Sequence, residues 1–256
     1  MNPLLVAAAL LAAAPPAEPT PGHPLQLPVQ LVENRFILVP RLEGGRVVRL
    51  YSDTGGGHTI LSPELVAALG LPVEHPDAGH DTPPLTGWPR WTAGAGIPPP
   101  ADRVLTMPLT QLGPGLDGFL GQDWFAGRTW TFDYPGERLL LHAGDDLPWG
   151  ARIPFHLPKP GPETAAFGRI TIEVDGKPLD VLFDTGATTE LGPEALAKVG
   201  DGRAGQRATS FMKAAVFDGW HKAHPDWPVV GAIGGSGLRY FRITVDYARG
   251  VAVFER

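Results

Sequence analysis

The chain has 256 residues, no cysteine and a formal net charge of -6, from 21 basic and 27 acidic side chains. This length exceeds what one small core needs and allows two lobes. Without cysteine the chain forms no disulfide framework and no thiolate metal site, and it has no cysteine nucleophile. The acidic balance, without any cluster of Lys and Arg, argues against a nucleic-acid partner.

Residues 1–24 are predicted to be a leader. The apolar run from Leu4 to Ala14 is too short to cross a bilayer comfortably, and small residues and prolines follow it. This pattern is typical of a secretory signal, although no Lys or Arg precedes the apolar run. We therefore expect an exported protein, periplasmic or secreted, without stable insertion in a membrane.

A first unit is predicted over residues 25–152. The sequence RFILVPRLEGGRVVRLYSDTG indicates two strands joined by a Glu-Gly-Gly turn, the second of which runs into Asp53-Thr54-Gly55. A lone Asp-Thr-Gly in a β-rich protein is usually a simple turn, with Asp accepting local hydrogen bonds. Its meaning therefore depends on what surrounds it.

Two further features follow in this unit. In SPELVAALG, Ser62 is a suitable helix N-cap, Pro63 suits the first helical position and Gly70 ends the helix. Further along, two apolar residues precede Gly121, and Asp133-Tyr134 stands twelve residues after that glycine, before a turn and a last strand.

The second half repeats these features in the same order. FGRITIEVDGKPLDVLFDTG indicates two strands with an Asp-Gly hairpin turn and then Asp184-Thr185-Gly186. GPEALAKVG, residues 192–200, predicts the matching helix. Two apolar residues precede Gly234, and Asp246-Tyr247 stands twelve residues after it. Four features recurring in order predict an internal duplication.

The boundary between the units is predicted in the proline-rich stretch IPFHLPKPGPE, residues 153–163. Because proline cannot donate to a sheet ladder, we expect this stretch not to form a central strand. The second unit would then span residues 153–256.

The duplicated turns and apolar-apolar-Gly strands resemble those of the pepsin-like and retropepsin-like aspartic peptidases, over about residues 30–256. The resemblance implies an all-β fold, mainly β with short helices, built as a bilobal, closed β-barrel pseudo-dimer. FDTGAT matches the family pattern closely, whereas SDTGGG has Gly56 and Gly57 where a small Ala or Ser and a Ser or Thr are usual. It implies a catalytic pair, Asp53 and Asp184, and supporting residues Thr54, Gly55, Thr185, Gly186, Gly121 and Gly234.

The chemistry requires one aspartate from each unit. Hydrolysis of a peptide bond without a metal or other cofactor needs a base that activates water and an acid that protonates the product side. Two facing carboxyls fill both roles when they share one proton, since like charges at this distance cannot both ionise. The sequence therefore predicts a monomeric endopeptidase that acts on peptides or proteins.

Alternatives remain at this stage. Trp88 and Trp91 lie in a Pro/Gly-rich stretch that is either a substrate-binding flap or a plain surface loop. The chain could also be a catalytically silent protein that binds a peptide or an envelope component on the same fold, because a fold alone does not establish activity. A glycosidase also uses paired acids, but that reading leaves the duplicated Thr-Gly unexplained.

Overall fold

The computed structural model describes residues 18–75, 83–92, 97–100, 104–144, 147–157, 168–174, 177–187 and 231–255. The strands of the first half are β1 (Leu25–Gln26), β2 (Val29–Val32), β3 (Arg35–Leu38), β4 (Leu50–Ser52), β5 (Thr59–Leu61), β6 (Val73–Glu74), β7 (Leu85–Thr86), β8 (Val104–Thr106), β9 (Gly118–Leu120), β10 (Thr129–Asp133) and β11 (Arg138–His142). Those of the second half are β12 (Ala151–His156), β13 (Arg169–Val174), β14 (Lys177–Phe183), β15 (Ala232–Ile233), β16 (Arg242–Asp246) and β17 (Val251–Glu255). The helices are α1 (Pro63–Leu69), a 3-10 turn (Thr110–Leu112), α2 (Gln122–Phe125) and α3 (Gly235–Leu238).

The prediction of a mainly β fold with short helices is confirmed. The strands form two mixed sheets, one in the order β1-β11-β10-β16-β17-β12-β13-β14-β15 and the other in the order β2-β3-β4-β9-β5-β8-β7-β6. Within the described parts of the chain both sheets are open, so the closed barrel implied by the resemblance is not seen there. No helix among these residues is long and apolar enough to span a bilayer.

The two halves join along the antiparallel pair β10–β16. Thr131 pairs with Thr244 at its middle, and their hydroxyl oxygens lie 2.6 Å apart. Two residues outward on either side, Asp133 pairs with Arg242 and Asp246 with Thr129. Because Asp133 and Asp246 are equivalent in the repeat, this register is symmetric. A pseudo-two-fold axis therefore passes between the central threonines.

Each half begins and ends on neighbouring strands. In the first half β1 pairs with β11, and in the second half β12 pairs with β17. Each half also brings its Asp-Thr-Gly strand beside its apolar-apolar-Gly strand, since β4 runs parallel to β9 and β14 runs parallel to β15. The same strand connectivity and pairing therefore occur in both halves.

The expectation that the stretch from residue 153 forms no central strand is wrong for its first four residues. Strand β12 pairs with β17 over residues 151–154 and with β13 over residues 155–156. Pro154 stands where the strand leaves one neighbour for the other, which is a position where a missing N–H is tolerated. Pro28 holds the equivalent place between β1 and β2, and the repeat LPVQL/IPFHL at residues 27–31 and 153–157 is a further sign of duplication.

Helix α1 is confirmed with its predicted caps. The Ser62 hydroxyl oxygen accepts a hydrogen bond from the Leu65 N–H at 3.1 Å, and Gly70 has φ 59°, in the left-handed region that glycine adopts without strain. The matching helix predicted at residues 192–200 lies outside the described residues. So do residues 1–17 of the predicted leader.

The main core is shared by both halves. Aromatic rings meet across them: Phe132 lies 5.5 Å from Phe183, measured between ring centroids, and Phe125 lies 6.2 Å from Tyr247. A smaller cluster of buried residues lies apart from this core and is here called the minor cluster; its members are Ile37, Tyr51, Leu109 and Phe119. Alternation along the strands separates the two, because Leu50 and Leu120 belong to the main core and their neighbours Tyr51 and Phe119 do not.

Candidate active site

Both predicted aspartates stand directly after a buried strand, at the point where it turns. The Asp53 N–H donates to the Leu120 carbonyl at 2.9 Å, and the Asp184 N–H donates to the Ile233 carbonyl at 3.1 Å. Each aspartate backbone is therefore held by the parallel strand beside it. This explains why an acidic residue ends an apolar run: the strand is needed to carry the carboxyl to the centre of the molecule.

The turns supply backbone donors to the carboxyls. The Gly55 N–H donates to Asp53 Oδ1 at 2.8 Å. The N–H groups of Gly186 and Ala187 both donate to Asp184 Oδ1, each at 2.9 Å. Hydrogen bonds to the charged form favour ionisation and oppose the effect of burial.

The two turns approach each other closely, with each glycine against the opposite carboxyl. A Cβ placed on Gly55 would overlap with the carboxyl of Asp184, and a Cβ placed on Gly186 would overlap with that of Asp53. Any side chain at either position would therefore push the opposite carboxyl away. This close approach, rather than the turn alone, requires glycine at both positions.

The two threonines connect the turns through crossed hydrogen bonds. The Thr54 N–H donates to Thr185 Oγ1 at 3.1 Å, and the Thr185 N–H donates to Thr54 Oγ1 at 3.0 Å. Each hydroxyl also donates to a carbonyl of the opposite half, Thr54 to Phe183 at 2.6 Å and Thr185 to Ser52 at 3.5 Å. Both threonines are fully buried, so these bonds face no competition from water.

Gly121 and Gly234 support the turns from behind. Each stands as the N-cap of a short helix, and the next residue donates its N–H to a turn carbonyl: Gln122 to Gly56 at 2.6 Å and Gly235 to Ala187 at 2.8 Å. A Cβ on Gly121 would lie 2.5 Å from the carbonyl oxygen of His58. The glycine at position 121 therefore lets α2 sit directly against the first turn.

The carboxyls of Asp53 and Asp184 each lie against the glycine of the opposite turn, close enough for each to affect the pKa of the other. Burial raises the pKa of both groups, and the charge of Asp184 raises the pKa of Asp53 further. Asp184 is 6% exposed, whereas Asp53 keeps partial contact with solvent. Burial of both carboxyls, together with the charge of Asp184 beside Asp53, therefore favours a pair that retains one proton.

Tyr51 was not predicted as part of the site. Its hydroxyl donates to the Gly186 carbonyl at 2.5 Å, so the strand that carries Asp53 also contacts the turn that carries Asp184. Burial raises the pKa of Tyr51, which keeps the hydroxyl protonated as a donor. The equivalent residue in the second half is Leu182. This departure from the repeat, a tyrosine against a leucine two residues before the aspartate, is the sequence signal that could have revealed it.

A third acidic residue, Asp123 of α2, has a structural role beside the first turn. Its carboxylate accepts hydrogen bonds from the Thr59 N–H at 2.9 Å and from the Thr59 hydroxyl at 2.5 Å. His58 Nδ1 lies 3.8 Å from the same carboxylate. These contacts fix the end of the 53–58 loop to α2.

Trp88 and Trp91 pack on each other edge to face, with ring centroids 5.6 Å apart. Both are partly buried against the main core, and Trp91 forms a bridge with Leu42. These contacts place the two rings in the body of the first half. Their assignment as substrate-binding residues stays a prediction.

Comparison of the sequence with protein-family models and with curated proteins gave no match. We therefore infer the function from the chemistry of the site.

Proposed function

We propose that the protein is an aspartic-type endopeptidase with one catalytic dyad, Asp53 and Asp184, on a bilobal, pepsin-like or retropepsin-like fold. One observation carries the proposal: two equivalent turns from the two halves meet across a pseudo-two-fold axis, so that each carboxyl lies against the glycine of the opposite turn. A plain Asx turn does not require a second carboxyl. It also does not require a glycine in the opposite turn at the point where that turn meets its carboxyl, as Gly186 meets Asp53 and Gly55 meets Asp184.

The mechanism follows from one proton shared by two carboxyls. The ionised carboxyl takes a proton from a water molecule, whose oxygen then attacks the peptide carbonyl carbon. The protonated carboxyl gives its proton to the carbonyl oxygen, so a neutral tetrahedral diol forms. The diol collapses when a carboxyl protonates the amide nitrogen and the C–N bond breaks. The remaining hydroxyl proton returns to the dyad, which restores its single proton.

The crossed threonine bonds and backbone donors serve this chemistry by holding the carboxyls in place before the substrate binds. Preorganised groups need no rearrangement during the reaction. The substrate would lie extended across the turns, held by main-chain hydrogen bonds with pockets for alternate side chains. Export from the cell and function as a monomer are parts of the same proposal.

The alternative is a silent binding protein, and Gly56-Gly57 is the feature that would favour it. Packing explains the first of these two glycines, because the Phe119 ring occupies the space where a Cβ on Gly56 would lie. Gly56 thus reflects local packing and does not indicate a decayed site. Peptide binding without hydrolysis would support the alternative.

Asp53→Asn and Asp184→Asn test the proposal. Each should reduce hydrolysis of unfolded casein by a factor of about 10² to 10⁴ or more, because a single carboxyl cannot act as base and acid together. Asp180→Asn is the matched control, since Asp180 lies on β14, the strand that leads to Asp184, and accepts a hydrogen bond from the Thr171 hydroxyl. Substantial activity in either dyad variant would contradict the proposal, and so would equal losses in all three.

A further inference from the structure

An apolar cavity lies in the first half between α1, the chain that follows this helix, and the end of β8. Its volume is about 580 Å³. Cavities of about 300–1,000 Å³ with predominantly apolar linings are typical of binding sites. Among the described residues that line this cavity, nine of ten are apolar, four of these are prolines, and none carries a charge. The cavity therefore suits an aliphatic group.

Half of the lining is open to a ligand from outside. Val73 and Met107 are 44% and 38% exposed, and three further lining residues are exposed as well: Pro63, Ala67 and Pro108. A single exposed apolar side chain is common on a protein surface. Five around one cavity form an apolar patch of the kind that marks an interaction site.

Backbone hydrogen bonds join the segments that line the cavity. The Thr106 N–H donates to the Pro84 carbonyl at 2.9 Å. The Met107 N–H donates to the carbonyl of Leu61 at 3.3 Å, and Leu61 is followed by Ser62, the N-cap of α1. The cavity is thus formed before any ligand binds, so that binding costs little conformational entropy.

A second cavity, of about 350 Å³, adjoins the first at the N-terminal turn of α1. Pro108 lines both cavities. Pro63 of the first cavity stands between Ser62 and Glu64 of the second. Glu64 is exposed, and it is the one charged side chain among the described residues that line the two cavities. The two cavities together are here called the α1 groove, which has an apolar end and an acidic end.

The α1 groove continues towards the dyad. Leu109 lines the second cavity and also belongs to the minor cluster, of which Tyr51 is a member. The Tyr51 hydroxyl contacts the Gly186 carbonyl in the turn that carries Asp184. An extended chain that passes over the dyad can therefore reach the groove.

The charge of the groove decides between two classes of aliphatic ligand. A fatty acid or an anionic lipid would bring a second negative charge beside Glu64, which like-charge repulsion disfavours. A peptide segment with large aliphatic residues next to Lys or Arg brings the complementary charge. The net charge of the whole chain, -6, favours the same basic ligand.

We propose that the α1 groove is an exosite, a second binding site that holds part of the substrate away from the dyad. The segment that it binds has large aliphatic side chains in the apolar cavity and a Lys or Arg beside Glu64. The inference rests on the proposed function, and it names the substrate class as proteins that carry such a segment outside the cleaved bond.

Binding of short blocked peptides to the unaltered protein tests the inference, in the presence of a short statine-type analogue that occupies the dyad. The peptides carry Leu-Leu-Val-Lys, Leu-Leu-Val-Glu or Ser-Ser-Thr-Lys, and dodecanoate represents a fatty acid. We expect Leu-Leu-Val-Lys to bind most tightly, the Glu peptide about threefold more weakly at low salt, and Ser-Ser-Thr-Lys about tenfold or more weakly. The inference is overturned if the two Leu-Leu-Val peptides bind equally, if Ser-Ser-Thr-Lys or dodecanoate binds as tightly as Leu-Leu-Val-Lys, or if no peptide binds.

Ala67→Trp ties the binding to the apolar cavity, because the indole would fill space that the aliphatic side chains need. We expect it to weaken binding of Leu-Leu-Val-Lys about tenfold or more. Met107→Gln, a milder change on the rim, should act in the same direction. Ala68→Trp is the matched control, since Ala68 is the next residue of α1, is exposed and does not line the cavity. Unchanged affinity in both cavity variants would reject the role of the cavity.

Glu64→Gln tests the acidic end in the same way. It should bring Leu-Leu-Val-Lys and Leu-Leu-Val-Glu to equal affinity, because the amide has no charge. Glu74→Gln is the control, because Glu74 is exposed and lies outside both linings. A preference for the Lys peptide that persists in Glu64→Gln would reject the role of this carboxylate.

Hydrolysis separates this inference from the proposed function. A peptide substrate that ends in Leu-Leu-Val-Lys should show a raised KM and an unchanged kcat in Ala67→Trp, because the groove lies away from the reacting atoms. Peptide binding that Ala67→Trp weakens, without hydrolysis by the parent, would leave the groove as a binding site and reject the peptidase. Hydrolysis that stops in Asp184→Asn but has the same KM in Ala67→Trp and in the parent would do the reverse.

Discussion

Asp184 is a carboxyl with little access to water, and its closest ionisable neighbour is another carboxyl. Burial alone would make such a group costly to ionise, and the two backbone donors on its Oδ1 offset part of that cost. Asp53 accepts such a bond from the Gly55 N–H at 2.8 Å and keeps some solvent contact. The two residues hold equivalent positions in the repeat but differ in their exposure to solvent.

The raised pKa values make stability depend on pH. A carboxyl whose pKa is higher in the folded state than the ordinary 3.8 binds protons more tightly when folded. Its contribution is therefore fully present below pH 3.8 and is lost as the pH rises through the raised value. Stability attributable to the dyad should decrease as the pH rises above about 4.

Asp53→Asn should remove much of this dependence, because the amide is neutral at every pH. We expect the thermal midpoint of the variant to exceed that of the parent at pH 7 and to approach it near pH 4. For a chain of this size, 1 kcal/mol shifts the midpoint by about 2–4 °C, which calorimetry resolves. Asp180→Asn serves again as the control, and parallel pH curves for parent and Asp53→Asn would contradict the assignment of the proton to the dyad.

At the scale of elements, local sequence patterns predicted the strands, the turns and α1 in their order along the chain. Two features, the alternation along β3 and the position of Pro154 within a strand, could be understood only from the packing. The alternation of Phe36, Ile37 and Leu38 between two clusters is visible only once β3 lies beside β4. Pro154 was interpreted as a breaker because proline removes a ladder donor. In the structure it stands where the strand changes partners and needs none.

The site was predictable to the extent that it is duplicated. Both aspartates, both threonines and the four glycines recur in matched positions, and the structure brings all eight together around the turns. Tyr51 and Phe119 could not be found in this way, because they are the positions where the repeat fails. The one signal that the sequence holds for them is that departure itself, Tyr51 against Leu182 and Phe119 against Ala232.

The contact between β9 and the first turn predicts coupled mutations. Gly56→Ala should destabilise the protein by about 1–3 kcal/mol, because its methyl overlaps with the Phe119 ring and overpacking carries a cost of that order. In a Phe119→Ala background the ring is gone, and the added methyl should cost much less. Urea unfolding of the four proteins should give a coupling energy within about 0.5–3 kcal/mol.

The same cycle in a Leu120→Ala background provides the comparison. Leu120 lies on the opposite face of β9, so Gly56→Ala should there keep its full cost. Additive effects of Gly56→Ala and Phe119→Ala would mean that the ring does not occupy the space beside the turn.

At the scale of the whole molecule, both half-sites belong to one chain. The central pair β10–β16, the shared aromatic core and the crossed threonines all join the halves. A second copy of the chain is not needed to complete the dyad.

We therefore expect a monomer that binds one transition-state analogue per chain. Light scattering gives the mass in solution, and titration with a tight-binding statine-type peptide counts the sites. A stoichiometry of one analogue to two chains would mean that the dyad forms between chains. Asp53→Asn should keep the monomeric mass and is the control for the titration.

Each half starts and finishes on strands that lie side by side, β1 beside β11 and β12 beside β17. A break in the chain beside Trp149, which is 97% exposed, would therefore leave each of these two strand pairs within one fragment. The two fragments would still meet along β10–β16, and each would bring one aspartate. Under the proposed function, the protein could be split into two inactive pieces whose reunion restores the dyad. The association of two other proteins fused to these pieces could then be detected as peptide cleavage.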